Sequence, residues 1–308
     1  MEKERKELDV LIIGAGMAGL TAALYAGRMN LKTLVLENAI VGGQIANATG
    51  IENYPGLPNV TGAELMATLQ KQAESYGVEV DEFDMIEKVT LTAEEKLVET
   101  GSFIYAPKAV IIASGMQRRK LGIPDETKFA DRGFHYCEQC DGFRYQGKRI
   151  AVAGGGNAAV DAANFLGKYG SEVYIIHRSP KLTADQAAID KFNANPKNKA
   201  IFNTLIEGAS GDKELKTLHL RSRETGEAYD LPMDAVFVNV GVEPNTALFA
   251  GQIDFMENGR IKAGEDCRTN VPGVFAAGDI RSKEVRQLTT AASDGTTAAI
   301  LAEKYING

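Results

Sequence analysis

Two cysteines, Cys137 and Cys140, stand in the stretch Tyr136-Cys137-Glu138-Gln139-Cys140-Asp141-Gly142. Two residues between cysteines let a small disulfide ring open and close reversibly. The nucleophile in such exchange is the thiolate, so the surroundings of the pair decide its reactivity. Two glycine-rich turns flank the pair in sequence, Gly14-Ala15-Gly16-Met17-Ala18-Gly19 and Gly154-Gly155-Gly156-Asn157-Ala158-Ala159. Such a turn between a strand and a helix can hold the pyrophosphate of a dinucleotide. Together the two features point to electrons passing from a bound redox cofactor to a disulfide.

The elements that must position these groups repeat. Residues 8–13 form a short apolar run, the mark of a buried parallel strand. After the first glycine turn a helix is expected over about 20–29, then a strand over 31–36 that ends at Glu37. An acid there accepts from ribose hydroxyls, and strand, turn, helix and acid together make the Rossmann fingerprint. The second turn is framed by a strand over 149–153, a helix over 160–168 and a strand over 171–176. Two apolar strands, 109–115 and 236–241, each run into a glycine and read as crossings between the two units. The expected fold is α/β, with two Rossmann-like three-layer domains, the second inserted into the first. Residues 1–116 and 245–308 then build the first domain and 117–244 the second, with Arg118-Arg119-Lys120 as a hinge.

Composition agrees with this layout. A chain of 308 residues with 44% hydrophobic content is long enough for about two cores. A net charge of -7 argues against nucleic acid as the main partner. Three cysteines do not make a secreted disulfide framework, so Cys137 and Cys140 read as a redox pair in a reducing compartment. Cys267 reads as a packed or surface thiol. No segment has the length of a membrane span, and the charged start runs straight into a strand, so a cytoplasmic protein is expected. No second Cys-x-x-Cys occurs, and the histidines are His135, His177 and His219, so no metal site is expected. His135 reads as a structural or surface residue.

Further motifs fall in order: Gly42-Gly43-Gln44, Asn53-Tyr54-Pro55-Gly56, Ala113-Ser114-Gly115, Gly278-Asp279 and Arg286-Gln287-Leu288. With the first glycine turn and the cysteine motif, these make the chain resemble the low-molecular-weight thioredoxin reductases along nearly its whole length. The resemblance implies FAD in the first domain. It would place Gly14, Gly16 and Gly19 at the pyrophosphate and Glu37 at the adenosine ribose. Gly43, Gln44 and Asn53 would approach the flavin, near the strand end Ala113 to Gly115. Asp279 would face the ribityl or pyrophosphate region, and Arg286 and Gln287 would flank the isoalloxazine. It further implies Cys140 as the flavin-proximal sulfur, Cys137 as the thiolate that attacks thioredoxin, Asp141 as the acid/base, and a homodimer. Glu138 and Gln139 depart from the small residues usual between the cysteines. Their charge either tunes the pair or is exposed and without consequence.

The resemblance breaks at the second glycine turn. The family pattern after the second strand is His-Arg-Arg-x-x-x-Arg, whose arginines neutralise the 2′-phosphate of NADPH. This chain reads His177-Arg178-Ser179-Pro180-Lys181-Leu182-Thr183. Two of three charge-assisted contacts are missing, each typically worth about 1.5–3 kcal/mol. No carboxylate ends the strand to hold the ribose diol of NADH. The combination favours reduced ferredoxin as electron donor, as in a branch of the wider family, over NADH or over NADPH through a rearranged site with Lys181 as a displaced cation. An acidic ferredoxin would want a basic face, for which Arg118-Arg119-Lys120 and Lys148-Arg149 are candidates. A flavoprotein that only senses redox state through the disulfide is the non-enzymatic alternative.

Overall fold

The computed structural model describes residues 3–38, 40–48 and 50–308, Asn47 by its backbone alone. The chain divides into two compact units, Met1–Gln117 with Pro244–Gly308, and Arg118–Glu243.

The first unit opens with strand β1 (Glu4–Ile13), helix α1 (Met17–Arg28) and strand β2 (Thr33–Leu36). Helix α2 (Gly62–Glu74) and strands β3 (Glu79–Asp81), β4 (Ile86–Leu91), β5 (Lys96–Thr100) and β6 (Phe103–Ile112) follow. The strand β1 begins four residues ahead of the apolar run, because Glu4 to Leu8 pair in parallel with Phe103 to Pro107 of β6. That pairing is carried by backbone groups and needs no apolar side chains. Helix α1 starts at Met17, so Gly19 lies inside its first turn. Helix α2 is started by Thr61, whose hydroxyl accepts from the Glu64 amide while the Glu64 carboxylate accepts from the Thr61 amide. A reciprocal cap of this kind contributes about 1 kcal/mol.

Strand β7 (Met116–Arg118) carries the chain into the second unit. Helix α3 (Pro124–Lys128), strand β8 (Phe134–His135) and the one-turn helix α4 (Glu138–Asp141) come first. Strand β9 (Arg149–Ala153), helix α5 (Asn157–Leu166), strand β10 (Glu172–Ile176), helix α6 (Gln186–Ala194) and strand β11 (Asn198–Ile201) form the second Rossmann-like run. Strands β12 (Thr204–Gly211), β13 (Leu215–Ser222) and β14 (Ala228–Pro232) make an antiparallel sheet, and β15 (Ala235–Val238) returns to the parallel one. The parallel sheet has the order β11-β10-β9-β15-β8. One core packs helices α5 and α6 on it through Val160, Ala163, Leu166 and Phe192; the other packs the antiparallel sheet through Leu215, Leu218 and Leu220. Three layers result.

Strand β16 (Val242–Pro244) leads back to the first unit, which closes with β17 (Val274–Ala276) and the long helix α7 (Leu288–Asn307). Its sheet has the order β3-β2-β1-β6-β5-β4, and β17 pairs with the last three residues of β6. Helices α1 and α7 pack on one face at their glycines: a Cβ on Gly295 would lie 2.2 Å from the Ala18 carbonyl oxygen. The free ends of β1, β2, β6 and β17 are therefore all on one side of the unit, where ligands bind in open parallel sheets. Among the described residues no helix is long and apolar enough to cross a membrane.

Candidate active site

The first glycine turn is built by exclusion. Gly14 has a left-handed φ of +107°, and a Cβ there would meet the Ala113 oxygen at 2.4 Å. A Cβ on Gly19 would stand 1.8 Å from the Gly14 oxygen. These two glycines allow turn, helix and β6 to close on one another. Gly16 differs: a Cβ there would meet nothing within 4 Å. It faces open space, just ahead of the amides that begin α1, which is the arrangement a diphosphate fits. Glu37 accepts from the Ala15 amide at 2.8 Å, and so braces the turn from the end of β2. Gly43 lies across from Gly16, its would-be Cβ 3.5 Å from the Gly16 Cα.

The residues expected at the far end of a cofactor also converge. Gln44 donates from Nε2 to the Met116 oxygen at 2.6 Å. Asn53 donates to the Gln287 side chain at 3.3 Å, and Gln287 begins α7. Gly115 has φ +61°, and its carbonyl accepts from the Asn245 amide at 3.1 Å. Arg286 donates to the Lys283 carbonyl at 2.7 Å. Asp279 is half-buried; burial pushes its carboxyl up, with Lys283, Arg286 and Arg260 opposing. Its carboxylate has no hydrogen-bond donor among the described residues, which suits a ligand hydroxyl.

Beneath this cluster lies a group that sequence reading missed. Buried Asp294 accepts from the Gly278 amide at 2.9 Å, from Arg281 at 2.7 and 2.9 Å, and from Lys283 at 2.8 Å. Burial raises its carboxyl, but the hydrogen bonds from Arg281 and Lys283 outweigh this and hold it below the usual carboxylate range. The network fixes the Gly278-Asp279 turn to α7. Its only local signal is the Asp-Gly pair within an apolar helix.

Cys267 is buried in the same region, its thiol pushed up to about 12 by burial first and then by Asp294. Alkylation of the folded, reduced protein at pH 8 is expected to label Cys137 and Cys140 alone, with Cys267 reacting only after denaturation. Peptide mass analysis checks this; a native label on Cys267 would contradict it.

In the second unit Cys137 and Cys140 form a disulfide across α4, with Cα atoms 5.3 Å apart. Cys137 is partly buried and Cys140 exposed. The Cys137 sulfur, at the helix start, accepts from the Cys140 amide at 3.2 Å. Glu138 is mostly buried, 18% exposed, and its carboxylate lies 3.6 Å from Arg118. Arg118 also donates to the Tyr136 carbonyl and to the Asn239 side chain. The idea of an exposed charge between the cysteines is therefore corrected: an arginine offsets it. Asp141 is flanked by Arg144 at 3.1 Å and by His135 at 3.2 Å. His135 is 1% exposed, which removes the surface reading of this residue. Phe143, one residue beyond the motif glycine, is 62% exposed.

The second glycine turn packs closely on its own chain at Gly154 and Gly155, whereas a Cβ on Gly156 would meet only the Thr183 hydroxyl, at 3.9 Å. Gly154 packs on the Asn239 carbonyl, where a Cβ would stand at 2.2 Å. The His177 ring lies against Gly155, with ring atoms 2.5 Å from a would-be Cβ. Thr183, at the place of the last family arginine, donates to the Gly155 carbonyl from its amide at 2.8 Å and its hydroxyl at 3.3 Å. Asp185 and Asn157 bind each other reciprocally at 2.7 and 3.2 Å. Arg223 donates to the Arg178 carbonyl at 2.8 Å, so β13 and its following turn bring a second arginine to this place. The candidate basic patches are largely neutralised. Arg118 faces Glu138, Arg119 lies 4.0 Å from Glu243, Lys148 lies 4.0 Å from Asp234, and Arg149 lies 3.0 Å from Glu172.

Comparison with known proteins agrees with this architecture. The family model described as pyridine nucleotide-disulphide oxidoreductase matches residues 8–295. A "34.2 kDa protein in rubredoxin operon" of Clostridium pasteurianum is 48% identical over 99% of both chains. A thioredoxin reductase of Streptomyces coelicolor is 41% identical, covering 97% of this chain and 94% of that one. The crystal structure of Lactococcus lactis thioredoxin reductase superposes with a TM-score of 0.90 at 36% identity, over 97% of this chain and 99% of that one. A ferredoxin-flavin thioredoxin reductase from Clostridium acetobutylicum, 26% identical, gives a TM-score of 0.54 over 99% of this chain and 100% of that one.

The chain belongs to the pyridine nucleotide-disulphide oxidoreductases, and within them to the low-molecular-weight thioredoxin reductase family. It is accordingly a flavoprotein disulfide reductase, and its cofactor is FAD.

Proposed function

We propose that the protein reduces the disulfide of a thioredoxin through Cys137 and Cys140, and that reduced ferredoxin supplies the electrons. The disulfide reading rests on the accessible Cys137–Cys140 pair with Asp141 beside it. The donor reading rests on one observation: Thr183, His177 and the Asn157–Asp185 pair fold onto the second glycine turn. Such a turn serves to pack helix on strand, with or without a ligand. The Clostridium acetobutylicum neighbour, by its name a ferredoxin-flavin enzyme, supports the same donor.

Bound FAD supplies a two-electron store that can be filled one electron at a time. We assign Gly14, Gly16 and Gly19 to its pyrophosphate, with Glu37 at the ribose and Asp279 at the ribityl or pyrophosphate region. Gly43, Gln44, Asn53, Ala113, Gly115, Arg286 and Gln287 surround the flavin end. Two electrons and two protons convert Cys137–Cys140 to a dithiol. Asp141 takes the proton of the attacking thiol. The Cys137 thiolate then attacks a thioredoxin sulfur, and the leaving thiolate is protonated. Cys140 next attacks the Cys137 sulfur, which releases the thioredoxin dithiol and restores the internal disulfide. Exposed Phe143 gives the partner an apolar anchor beside the reacting sulfurs. A homodimer in the cytoplasm completes this reading.

NADPH as donor is the second reading, and Arg223 favours it: bound to the Arg178 carbonyl, it brings a second cation to the segment where the family arginines stand. Anaerobic bleaching of the flavin band separates the two. Reduced ferredoxin is expected to bleach it within seconds, while NADPH leaves it oxidised for at least about a hundredfold longer, from the loss of about two charge-assisted contacts to its 2′-phosphate, and NADH does the same for want of a carboxylate at its ribose diol. Rapid bleaching by NADPH, lost in Arg223→Ala, would overturn the ferredoxin assignment.

A further inference from the structure

We infer that His135 is a positioning residue for Asp141, holding its carboxylate through a buried Tyr145–His135–Asp141 chain. This rests on the reading of Asp141 as the acid/base given above. His135 ends β8, two residues ahead of Cys137, and its side chain is fully enclosed. Its Nε2 lies 2.6 Å from the Tyr145 hydroxyl. Its Nδ1 lies 3.2 Å from Asp141 Oδ2, off the axis of a hydrogen bond, and no other described atom partners it. Stacking on Phe237 and an edge contact with Tyr145, both at 5.3 Å between centroids, fix the ring plane. The imidazole therefore has one rotatable relation left, and that one faces the catalytic carboxylate.

The protonation pattern follows from the partners. Burial pushes the Tyr145 hydroxyl up to about 12, so it stays protonated and can donate to Nε2. The ring proton then sits on Nδ1, facing Oδ2; the other tautomer would set a lone pair against a carboxylate. Burial, the largest cause, holds the imidazole below its ordinary value, with Asp141 and Asp131 opposing and Arg144 assisting. The ring is thus neutral at pH 7 and acts as a donor. The charged and titratable groups facing this chain are Asp131, Asp141 and Arg144 at the ring, with Glu214 and Asp234 beyond Tyr145. Arg144 secures Oδ1 of the same carboxylate at 3.1 Å. Arg144 thus holds one oxygen of Asp141, and the imidazole N–H stands 3.2 Å from the other, close enough to donate to it after a small turn of the carboxylate. Apo hydrogen bonds of this kind tighten when the partner binds.

The test uses the FAD-loaded enzyme, reduced beforehand and mixed with oxidised thioredoxin across pH 5–9. His135→Phe keeps the ring and its packing but removes both nitrogens. His135→Asn keeps a donor near the Nδ1 position. His135→Phe is expected to slow thioredoxin reduction at pH 7 about tenfold and to move the acid limb of the profile to higher pH, since the carboxylate loses a donor. His135→Asn is expected to stay within about threefold of the parent with an unmoved limb. Should His135→Phe fold poorly by melting temperature and flavin content, Tyr145→Phe serves instead, with a smaller shift in the same direction. An unmoved limb in His135→Phe, or equal loss in the Phe and Asn variants, overturns the inference. Asp141→Asn in parallel separates the two levels. Full activity there removes the acid/base reading and the inference with it, whereas a slow Asp141→Asn beside a normal His135→Phe removes the inference alone.

Discussion

Serine at Cys137 or at Cys140 is expected to lower thioredoxin reduction by about a thousandfold or more while FAD stays bound. The reason is chemical. The two sulfurs act as one unit: Cys137 attacks outward and Cys140 resolves, so removing either stops the cycle. Residues that act as a unit lose nearly everything when one is removed. The flavin site is untouched by the change, because every residue that we assign to FAD lies in the first unit and the cysteines lie in the second. Flavin absorbance should match the parent, and reduced donor should still bleach it. Steady-state thioredoxin reduction with each variant checks this. Activity within tenfold of the parent in either serine variant would sink the assignment of the disulfide as the outlet for electrons.

The second large effect separates two uses of glycine in one turn. Gly19→Ala drives a methyl to 1.8 Å from the Gly14 oxygen, a backbone atom that cannot step aside. Overpacking of this kind costs about 1–3 kcal/mol. The protein should melt lower and hold FAD about 5- to 150-fold more weakly. Gly16→Ala meets nothing of the protein within 4 Å. Its flavin-free form should melt as the parent does, yet its methyl enters the space assigned to the pyrophosphate, so FAD binding should fall comparably. Melting of the flavin-free proteins, with FAD titration by fluorescence, distinguishes the two. Normal FAD affinity in Gly16→Ala would place the pyrophosphate elsewhere.

Local sequence carried the scaffold well. The short apolar runs before each glycine turn became parallel strands, since a strand buried on both faces has little room for polar residues. Helix α1 starts three residues earlier than the end of the glycine turn suggests, because Met17 and Ala18 belong both to the turn and to the helix. The polar start of β1 left no apolar trace, since its pairing partner lies about 100 positions away in β6.

Side-chain partnerships were far less legible. Arg118 offsets Glu138, His135 meets Asp141 and Tyr145, and Asp294 gathers Arg281, Lys283 and the Gly278 amide. Each joins residues whose types alone permit many partners, and burial chooses among them. The same limit bears on the donor question. Sequence shows that Ser179 and Thr183 replace arginines, but not that Thr183 folds back on Gly155 or that Arg223 arrives from β13 and its turn.

Discharge of the reduced enzyme without any donor tests the disulfide outlet most directly. The enzyme is reduced with dithionite under argon, freed of reductant and mixed with two equivalents of oxidised thioredoxin, because reduced flavin and dithiol together hold four electrons. The quenched mixture is alkylated and its cysteines are read by mass. Each thioredoxin should gain two labelled thiols while Cys137 and Cys140 lose theirs together. Thioredoxin left oxidised, with Cys137 and Cys140 still labelled, would contradict it.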